Sequence, residues 1–429
     1  MEICALSFVG FTGAAGCGKT HQLLHKLCER LREKPLAKGQ KVLALTFMHG
    51  SRKRLDARLS GEDLSGAKFE CTVIDKFAAR ILHRWRDLAF SKAISPFEDD
   101  AFDERCGAAA LLLNEPFVRD WVVAEYPIVL LDEAQDLKPE RLAIFEALEG
   151  HCELFVAADG FQCLDKELRD SEVLDWVNKN DRSEELDQVR RTEKAGLLAA
   201  AKALRSGDPL PLKGAGFRVL AHQKGPNLAT PAAAMSLKIN HWESAAIITP
   251  TMNDPHVSTF FERLQKNRYG PQKRWGPYKV RSDAGPEALA RSLIDEMALP
   301  EVVDLADALA FFKVRKSNAI AKRVMQQLEK RIRVRGDETI VRQDLSELVE
   351  TEAVETNRYA PSKEVGLQGM TVHAAKNREF DGVVAIWPYR VAEEPEQRRR
   401  LLYNAITRAR QWCAVVCMNS NQLKQAPFI

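Results

Sequence analysis

Long apolar runs, paired cysteines and a strong excess of one charge are all missing from this chain of 429 residues. No apolar segment has the length of a membrane span or the form of a signal peptide, so we expect no membrane partner. The nine cysteines include no C-x-x-C pair, which favours reduced thiols in a cytoplasmic protein. The net charge of +3 is too small to indicate a nucleic-acid partner by itself.

One glycine-rich stretch near the start of the chain matches a phosphate-binding pattern. The segment GFTGAAGCGKTHQLL follows an apolar strand-like run and fits G-x-x-x-x-G-K-[ST]. Small residues let successive N–H groups turn towards a phosphate, Lys19 reaches the β and γ phosphates, and Thr20 is a ligand for Mg²⁺. A chance glycine-rich turn is the alternative, and the flanking strand and helix disfavour it. The predicted loop consists of Gly13, Ala14, Ala15, Gly16, Cys17, Gly18, Lys19 and Thr20.

Paired acids end a second apolar run, VLLDEAQDL. At the tip of such a strand, Asp132 would hold Mg²⁺ through water, and Glu133 would orient or deprotonate the attacking water. Acids that favour the start of a helix are the alternative interpretation. The preceding phosphate loop makes the metal site the better prediction.

Strand-like and helical segments alternate along much of the chain, which is typical of an α/β fold with parallel sheets. The runs ALSFVGF, KVLALTF, YPIVLLD and CELFVAAD indicate one sheet, and AAIITP, GVVAIWP and QWCAVVCM indicate another. Residues 265–365 read as a mainly helical, basic insertion, with Ile320, Val324, Leu328 and Ile332 spaced as one helix face. Its first part, QKNRYGPQKRWGPYKVR, has six basic residues and no acids, and is either a nucleic-acid contact or a solvated surface.

Further motifs occur in the order found in the UvrD/Rep-like helicases of superfamily 1, which the chain resembles over nearly its whole length. The acidic motif DEAQD is characteristic of that family. The remaining segments that resemble family motifs are ALTFMHGSRKRL, CTVIDKFAARIL, VAADGFQCL, LDQVRRT, MTVHAAKNREFDGV and LLYNAITRAR.

The resemblance implies a role for residues in each motif. Lys19, Glu133, Gln162, Arg191 and Arg408 would be catalytic, the two arginines by stabilising charge on the γ-phosphoryl group. Glu379 would contact the ribose, and Arg190 stands where the family stacks a tyrosine on adenine. The residues expected to contact DNA are Phe47, Phe77, Thr371 and His373, with a core position an equal alternative for Phe77.

Departures from the family are also visible. Only twelve residues precede Gly13, too few for the adenine-reading helix and glutamine together with the first strand. Asp75 replaces a histidine, and Asn377 and Arg378 replace Gly-Leu. With Arg190 in place of the tyrosine, we expect relaxed nucleotide choice, so that other NTPs serve beside ATP.

These features together predict an α/β protein with two RecA-like P-loop domains, parallel sheets and a mainly helical insertion. The expected bounds are 1–180 for the first domain, with a short insertion at about 83–125, then 181–264 with 366–429 for the second, and 265–365 for the insertion. ATP would lie in the cleft between the two domains, with Mg²⁺. The predicted function is an ATP-dependent helicase or translocase on single-stranded DNA, and the family resemblance implies movement 3′ to 5′.

The alternative is a DNA-binding ATPase switch or clamp subunit without processive unwinding. RNA is left open as a substrate. A nuclease or a replication, repair or defence factor is a candidate protein partner.

Overall fold

The computed structural model describes residues 8–47, 49–94, 102–169, 172–179, 183–221, 226–282, 302–315, 318–359, 366–392 and 394–429, with the single positions 290, 293, 294, 296, 297 and 300. Both predicted insertions, 83–125 and 265–365, include residues outside this set. Within it, no helix has the length and apolar character needed to cross a bilayer.

The described chain alternates strands and helices, as the apolar runs predict. The strands are β1 Phe8–Gly13, β2 Lys41–Thr46, β3 Lys68–Val73, β4 Ile128–Asp132, β5 Glu153–Ala158, β6 Ser183–Leu186, β7 Lys213–Gly214, β8 Phe217–Ala221, β9 Ser244–Thr249, β10 Val280–Ser282, β11 Val302–Asp304, β12 Thr339–Val341, β13 Gly366–Thr371, β14 Phe380–Trp387 and β15 Ala409–Cys417.

The helices of the described chain lie mostly between successive strands. They are α1 Lys19–Glu33, α2 His49–Gly61, α3 Ile74–Arg84, α4 Arg86–Ser91, α5 Phe102–Leu113, α6 Pro116–Glu125, α7 Pro139–Leu148, α8 Glu172–Asn178, α9 Ala195–Ser206, α10 Pro226–Ile239, α11 Pro255–Lys266, α12 Leu305–Val314, α13 Ala319–Arg335, α14 Arg342–Tyr359 and α15 Pro395–Ile406.

Two compact units divide the chain. One takes in Met1–Phe217, Ala392–Gln411 and Leu423–Ile429, and the other takes in Arg218–Val391 and Trp412–Gln422. These bounds differ from the predicted domains, because the segments that carry Arg191 and Arg408 lie in the first unit. The assignment of RecA-like domains stays a prediction.

A six-stranded parallel sheet forms the centre of the first unit, in the order β3-β2-β4-β5-β1-β6. Both faces of this sheet are covered by helices. Along β2, Val42 and Ala44 pack in one apolar cluster, and Leu43 and Leu45 pack in the other. Burial on both faces explains why these strands read as continuous apolar runs rather than as alternating ones. The carboxyl ends of β1, β4 and β5 therefore meet at one edge.

The seven-stranded sheet of the chain has the order β10-β13-β9-β14-β15-β8-β7. Strand β9 lies between β13 and β14 and is parallel to both. Cys413 and Cys417 on β15 are buried.

Helices α12, α13 and α14 pack around a separate apolar cluster, beside an antiparallel pair formed by β11 and β12. The predicted stripe lies on α13. Ile320, Val324 and Leu328 are buried, whereas Ile332 is exposed near the end of the helix.

Candidate active site

The glycine-rich loop leaves β1 at Gly13 and enters α1 at Lys19. Three of its glycines have a left-handed φ, which L-residues with a side chain seldom adopt: Gly13 at 141°, Gly16 at 79° and Gly18 at 93°. Space is also short, because a Cβ on Gly16 would lie 2.6 Å from the Cβ of Arg191. The sequence therefore builds a tight turn between β1 and the start of α1, which fits the predicted phosphate site.

Lys19 is held at the loop in a nearly buried position. Its Nζ donates hydrogen bonds to the carbonyl oxygens of Gly13 at 2.9 Å and Ala14 at 3.0 Å. It also lies 3.6 Å from Oδ2 of Asp159, which follows β5. The ammonium group thus bridges the loop and the neighbouring strand end, within reach of an anion bound by the loop.

Thr20 and Asp132 are brought together although they are far apart in sequence. The Thr20 hydroxyl lies 3.1 Å and 3.3 Å from the two carboxylate oxygens of Asp132 and donates to them. A hydroxyl beside a carboxylate is an all-oxygen set, and Mg²⁺ takes few protein ligands besides phosphate and water. These residues fit the predicted Mg²⁺ site.

Electrostatics at the end of β4 favour a cation. Burial, followed by the charge of Glu133, raises the pKa of the Asp132 carboxyl to about 6. A bound cation would relieve this penalty by stabilising the ionised form.

Glu133 occupies a strained backbone position directly after Asp132. Its φ of 62° lies in the left-handed region, which is uncommon for a residue with a side chain. The Glu133 carboxylate accepts a hydrogen bond of 2.6 Å from Nε2 of Gln135. Oε1 of the same amide accepts the backbone N–H of Asp159 at 2.8 Å. Gln135, which the motif contains but the sequence interpretation left without a role, therefore orients Glu133 relative to β5.

Asp159 is the centre of a buried polar network. Its carboxylate accepts hydrogen bonds from Gln162 Nε2 at 2.7 Å and from Arg205 Nη1 at 2.8 Å. Burial alone raises the pKa of this carboxyl, but Lys19 and Arg205 outweigh burial and leave the pKa below its ordinary value. Asp159 is thus an anion shared between two cations.

Arg408 extends this network from the turn between α15 and β15. The side chain is only 1% exposed, and its Nη2 donates to Oε1 of Gln162 at 2.7 Å. Its Nε donates to the Asn404 carbonyl at 3.0 Å. The chain Arg408, Gln162, Asp159, Lys19 is therefore continuous within the first unit.

Arg190 and Arg191 cross the phosphate loop at Gly16. Both donate their backbone N–H to the Gly16 carbonyl, at 2.7 Å and 3.2 Å. The Arg191 guanidinium donates to the Thr407 carbonyl at 2.8 Å, while the Arg190 side chain is exposed beside Gly18. Both arginines thus lie at the loop, as the motif interpretation requires.

Tyr403 also touches the loop, although no role was predicted for it. The backbone N–H of Ala15 donates to the Tyr403 hydroxyl at 2.8 Å, and the Phe161 ring meets the Tyr403 ring edge-on at 4.9 Å. Burial raises the pKa of Tyr403 to about 12, so the hydroxyl stays neutral. Arg205 is a further contact that the sequence does not reveal, since no motif includes it.

Three predicted residues lie in the second unit, between the end of β13 and the start of β14. The Thr371 hydroxyl accepts the backbone N–H of Ala374 at 3.2 Å, His373 is exposed, and Glu379 is half-buried. The turn ends with Asn377 at a φ of 60°. Their predicted roles with nucleic acid and ribose stay predictions.

Phe77 differs from its predicted role. The ring is 1% exposed and belongs to the apolar core of the first unit, so no face is available for a base. The core alternative is what the structure shows. Phe47 is half-buried at the end of β2, and the Arg141 guanidinium lies 5.3 Å from the centre of its ring.

Comparison with protein families finds a match for one part of the chain. Residues 369–416 match the UvrD-like helicase C-terminal domain. This match covers Thr371, His373, Glu379, Tyr403 and Arg408, and it supports the UvrD/Rep-like resemblance seen in the motifs. The match suggests a family of NTP-dependent helicases or translocases that bind nucleic acid. A search of curated proteins finds no match.

Proposed function

We propose that this protein is an ATP-dependent translocase or helicase that moves on single-stranded DNA in the 3′ to 5′ direction. The observation that carries the proposal is the continuous network from Lys19 at the phosphate loop through Asp159 and Gln162 to Arg408. A site that only binds a nucleotide needs the loop. A motor also needs a group that changes its contacts when the γ-phosphate is lost. We assign this role to Gln162, which lies between the Arg408 guanidinium and the buried Asp159 carboxylate.

Residues of the first unit divide the work of hydrolysis. The loop N–H groups and Lys19 bind the phosphates, and Thr20 and Asp132 would hold Mg²⁺, which when bound neutralises charge on the phosphate oxygens. Glu133, oriented by Gln135, accepts the proton of the attacking water. Arg191 and Arg408 stabilise charge that develops on the γ-phosphoryl group.

Lys19 must exchange partners when nucleotide arrives. In the structure it is bonded to two loop carbonyls and lies near Asp159. Its departure towards a phosphate leaves Asp159 with Arg205, so the buried carboxylate keeps a charged partner. This arrangement lowers the cost of binding, because an unpaired buried charge is strongly unfavourable.

The proposal is tested by measuring ATP hydrolysis with and without single-stranded DNA. We expect DNA to raise turnover at least about tenfold, which corresponds to about 1.4 kcal/mol of barrier. Glu133→Gln should lower turnover by about 10² to 10⁴ and still bind ATP, because it removes the proton acceptor and leaves Lys19 and Asp132 in place.

Glu146→Gln is the matched control, since this carboxylate is exposed on α7 and should leave hydrolysis unchanged. An ATP hydrolysis rate that is the same with and without single-stranded DNA would contradict the proposed motor function. Wild-type rates in Glu133→Gln would contradict the assignment of the base.

A further inference from the structure

Residues 267–281, here named the basic hairpin, follow α11 and include the first two residues of β10 in the second unit. Together with Lys266 they carry six cations and no acid. All six side chains are exposed. Lys266 pairs with Glu262 at 2.6 Å. The remaining five have no acidic partner among the described residues, and they are Arg268, Lys273, Arg274, Lys279 and Arg281.

Aromatic residues fix the hairpin to the body of the unit. Tyr269 and Trp275 exchange backbone hydrogen bonds of 2.7 Å and 2.9 Å, which close the hairpin. The Tyr269 hydroxyl donates to the Arg263 carbonyl and the Tyr278 hydroxyl to the Ala234 carbonyl, each at 3.0 Å. Both tyrosine rings pack against the apolar core. The two tyrosines are therefore structural, and the cations are exposed.

Gly270 is required by this arrangement. Its φ is 75°, and a Cβ at this position would lie 2.2 Å from the Trp275 ring. The close approach of ring and backbone holds the bend of the hairpin, so a substitution here would disturb the scaffold and leave the charge unchanged.

The exposed groups define the kind of partner. Surfaces that bind membranes combine cations with apolar side chains that insert, but the tyrosine rings here are packed inwards. Proteins that stack bases present aromatic rings, but here the tyrosine rings pack against the core and the Trp275 ring lies against Gly270. What remains is a set of unpaired cations, which suits a phosphate backbone.

The hairpin lies away from the predicted DNA motif of the same unit. Strand β10 is parallel to β13, with Val280 beside Leu367, whereas Thr371 ends β13. Lys279 directly precedes β10, so the end of the hairpin lies at the amino end of this strand, whereas Thr371 lies at the carboxyl end of the neighbouring β13. Leu367, which lies beside Val280, is four residues from Thr371. At about 3.3 Å for each residue, the distance along β13 is about 13 Å. A DNA strand that contacts both the hairpin and Thr371 would have several phosphates between these two contacts.

We propose that the basic hairpin is a second contact surface for single-stranded DNA, one that binds the phosphate backbone and adds affinity without reading sequence. The proposal rests on the proposed function, because it takes the substrate of that motor as its ligand. It adds a site that none of the helicase motifs contains.

The test compares wild type with the combined variant Lys273→Ala, Arg274→Ala and Lys279→Ala. Binding of a fluorescent oligothymidine strand is measured by anisotropy over a range of KCl concentrations. We expect the slope of log K against log salt to fall by about 0.7 for each cation that no longer binds a phosphate, or about 2 for all three. At 0.1 M salt this is a loss of affinity of up to about a hundredfold.

A matched control removes three exposed lysines of the first unit, with Lys34→Ala, Lys38→Ala and Lys202→Ala, and should keep the wild-type slope. Gly270→Ala tests the scaffold, since it keeps every charge and should still weaken binding. Melting temperatures show whether each variant is folded.

An unchanged slope in the hairpin variant, with intact binding by wild type, would overturn this proposal alone. Absence of DNA binding by wild type would instead overturn the proposed function. Loss of binding to phosphatidylserine vesicles, with an unaltered DNA slope, would assign the hairpin to lipid and also overturn the proposal.

Discussion

Arg205 shows how much a single side chain contributes to the phosphate site. Its guanidinium donates to Asp159 at 2.8 Å and lies 5.8 Å from the centre of the Phe161 ring. No motif contains it, yet it decides how firmly Asp159 holds Lys19. With two cations near one carboxylate, each is held less tightly than it would be alone.

We predict that Arg205→Met weakens ATP binding by about tenfold or more, since a hydrogen bond to a charged group contributes about 1.5 to 3 kcal/mol. Without Arg205, Lys19 is the remaining cation beside a buried carboxylate, and its transfer to phosphate leaves that carboxylate unpaired. The dissociation constant of a fluorescent ATP analogue measures the effect.

The control is Lys202→Met, an exposed position on the same helix. Arg205→Lys should recover part of the affinity, because it restores the charge. Unchanged affinity in Arg205→Met would mean that Asp159 does not compete for Lys19.

Helices α3, α5 and α7 are joined by one buried arginine. Arg141 on α7 lies 2.7 Å from Asp75 on α3, and it also pairs with Asp103 on α5. The Arg141 side chain is 6% exposed, whereas the side chains of Asp75 and Asp103 are 20% and 34% exposed. Asp75, which stands where the family has histidine, thus has a structural partner of its own.

We predict that Arg141→Met lowers the free energy of unfolding by about 3 kcal/mol, because it leaves the Asp75 carboxylate without its cation, whereas Asp103 keeps Lys138 at 2.7 Å. Urea unfolding followed by circular dichroism gives the value. The double variant Asp75→Asn with Arg141→Met should recover part of the loss, since fewer uncompensated charges remain. A loss below about 1 kcal/mol would show that solvent reaches the carboxylates.

Elements that the sequence predicts well are those with contiguous signals. The strand, glycine turn and helix around Lys19 form one such stretch, and the described structure has all three. The basic insertion is mainly helical where it is described. Its helix α13 carries the predicted apolar spacing. Strand β6, with the sequence SEEL, has no apolar pattern and gives no signal.

Contacts between distant positions are what the sequence does not reveal. Asp159 meets Arg205 and Asp75 meets Arg141 only because the fold brings their elements together, and no periodicity records either pair. Phe77 is a different case. Ile74, Phe77, Ala78 and Ile81 share one buried face of α3, so helical spacing is the signal that separates the two alternatives for this ring.

At the scale of the whole molecule, the compact division groups the phosphate loop with Arg191 and Arg408. The polar network to Arg408 is therefore formed within one unit. The motor and the rival ATPase clamp both need this network, and they differ in whether hydrolysis is converted into movement along DNA.

We predict strand displacement from a duplex with a 3′ single-stranded tail in the presence of ATP, and none from a duplex with only a 5′ tail. Release of a fluorescent strand measures it, and Glu133→Gln is the inactive control. ATP hydrolysis that releases the protein from DNA without displacing a strand would favour the clamp.

Burial of the cysteines makes the protein well suited to site-specific labelling. Eight of the nine lie in the described part of the chain, and all eight are buried. Burial raises the pKa of Cys71, Cys106 and Cys152 to about 12, and the thiolate is the form that reacts with maleimides. With Cys4→Ser and Lys273→Cys, a dye would attach chiefly to the basic hairpin. Its emission would then report the arrival and departure of a DNA strand in real time, with the other five cations of this surface kept.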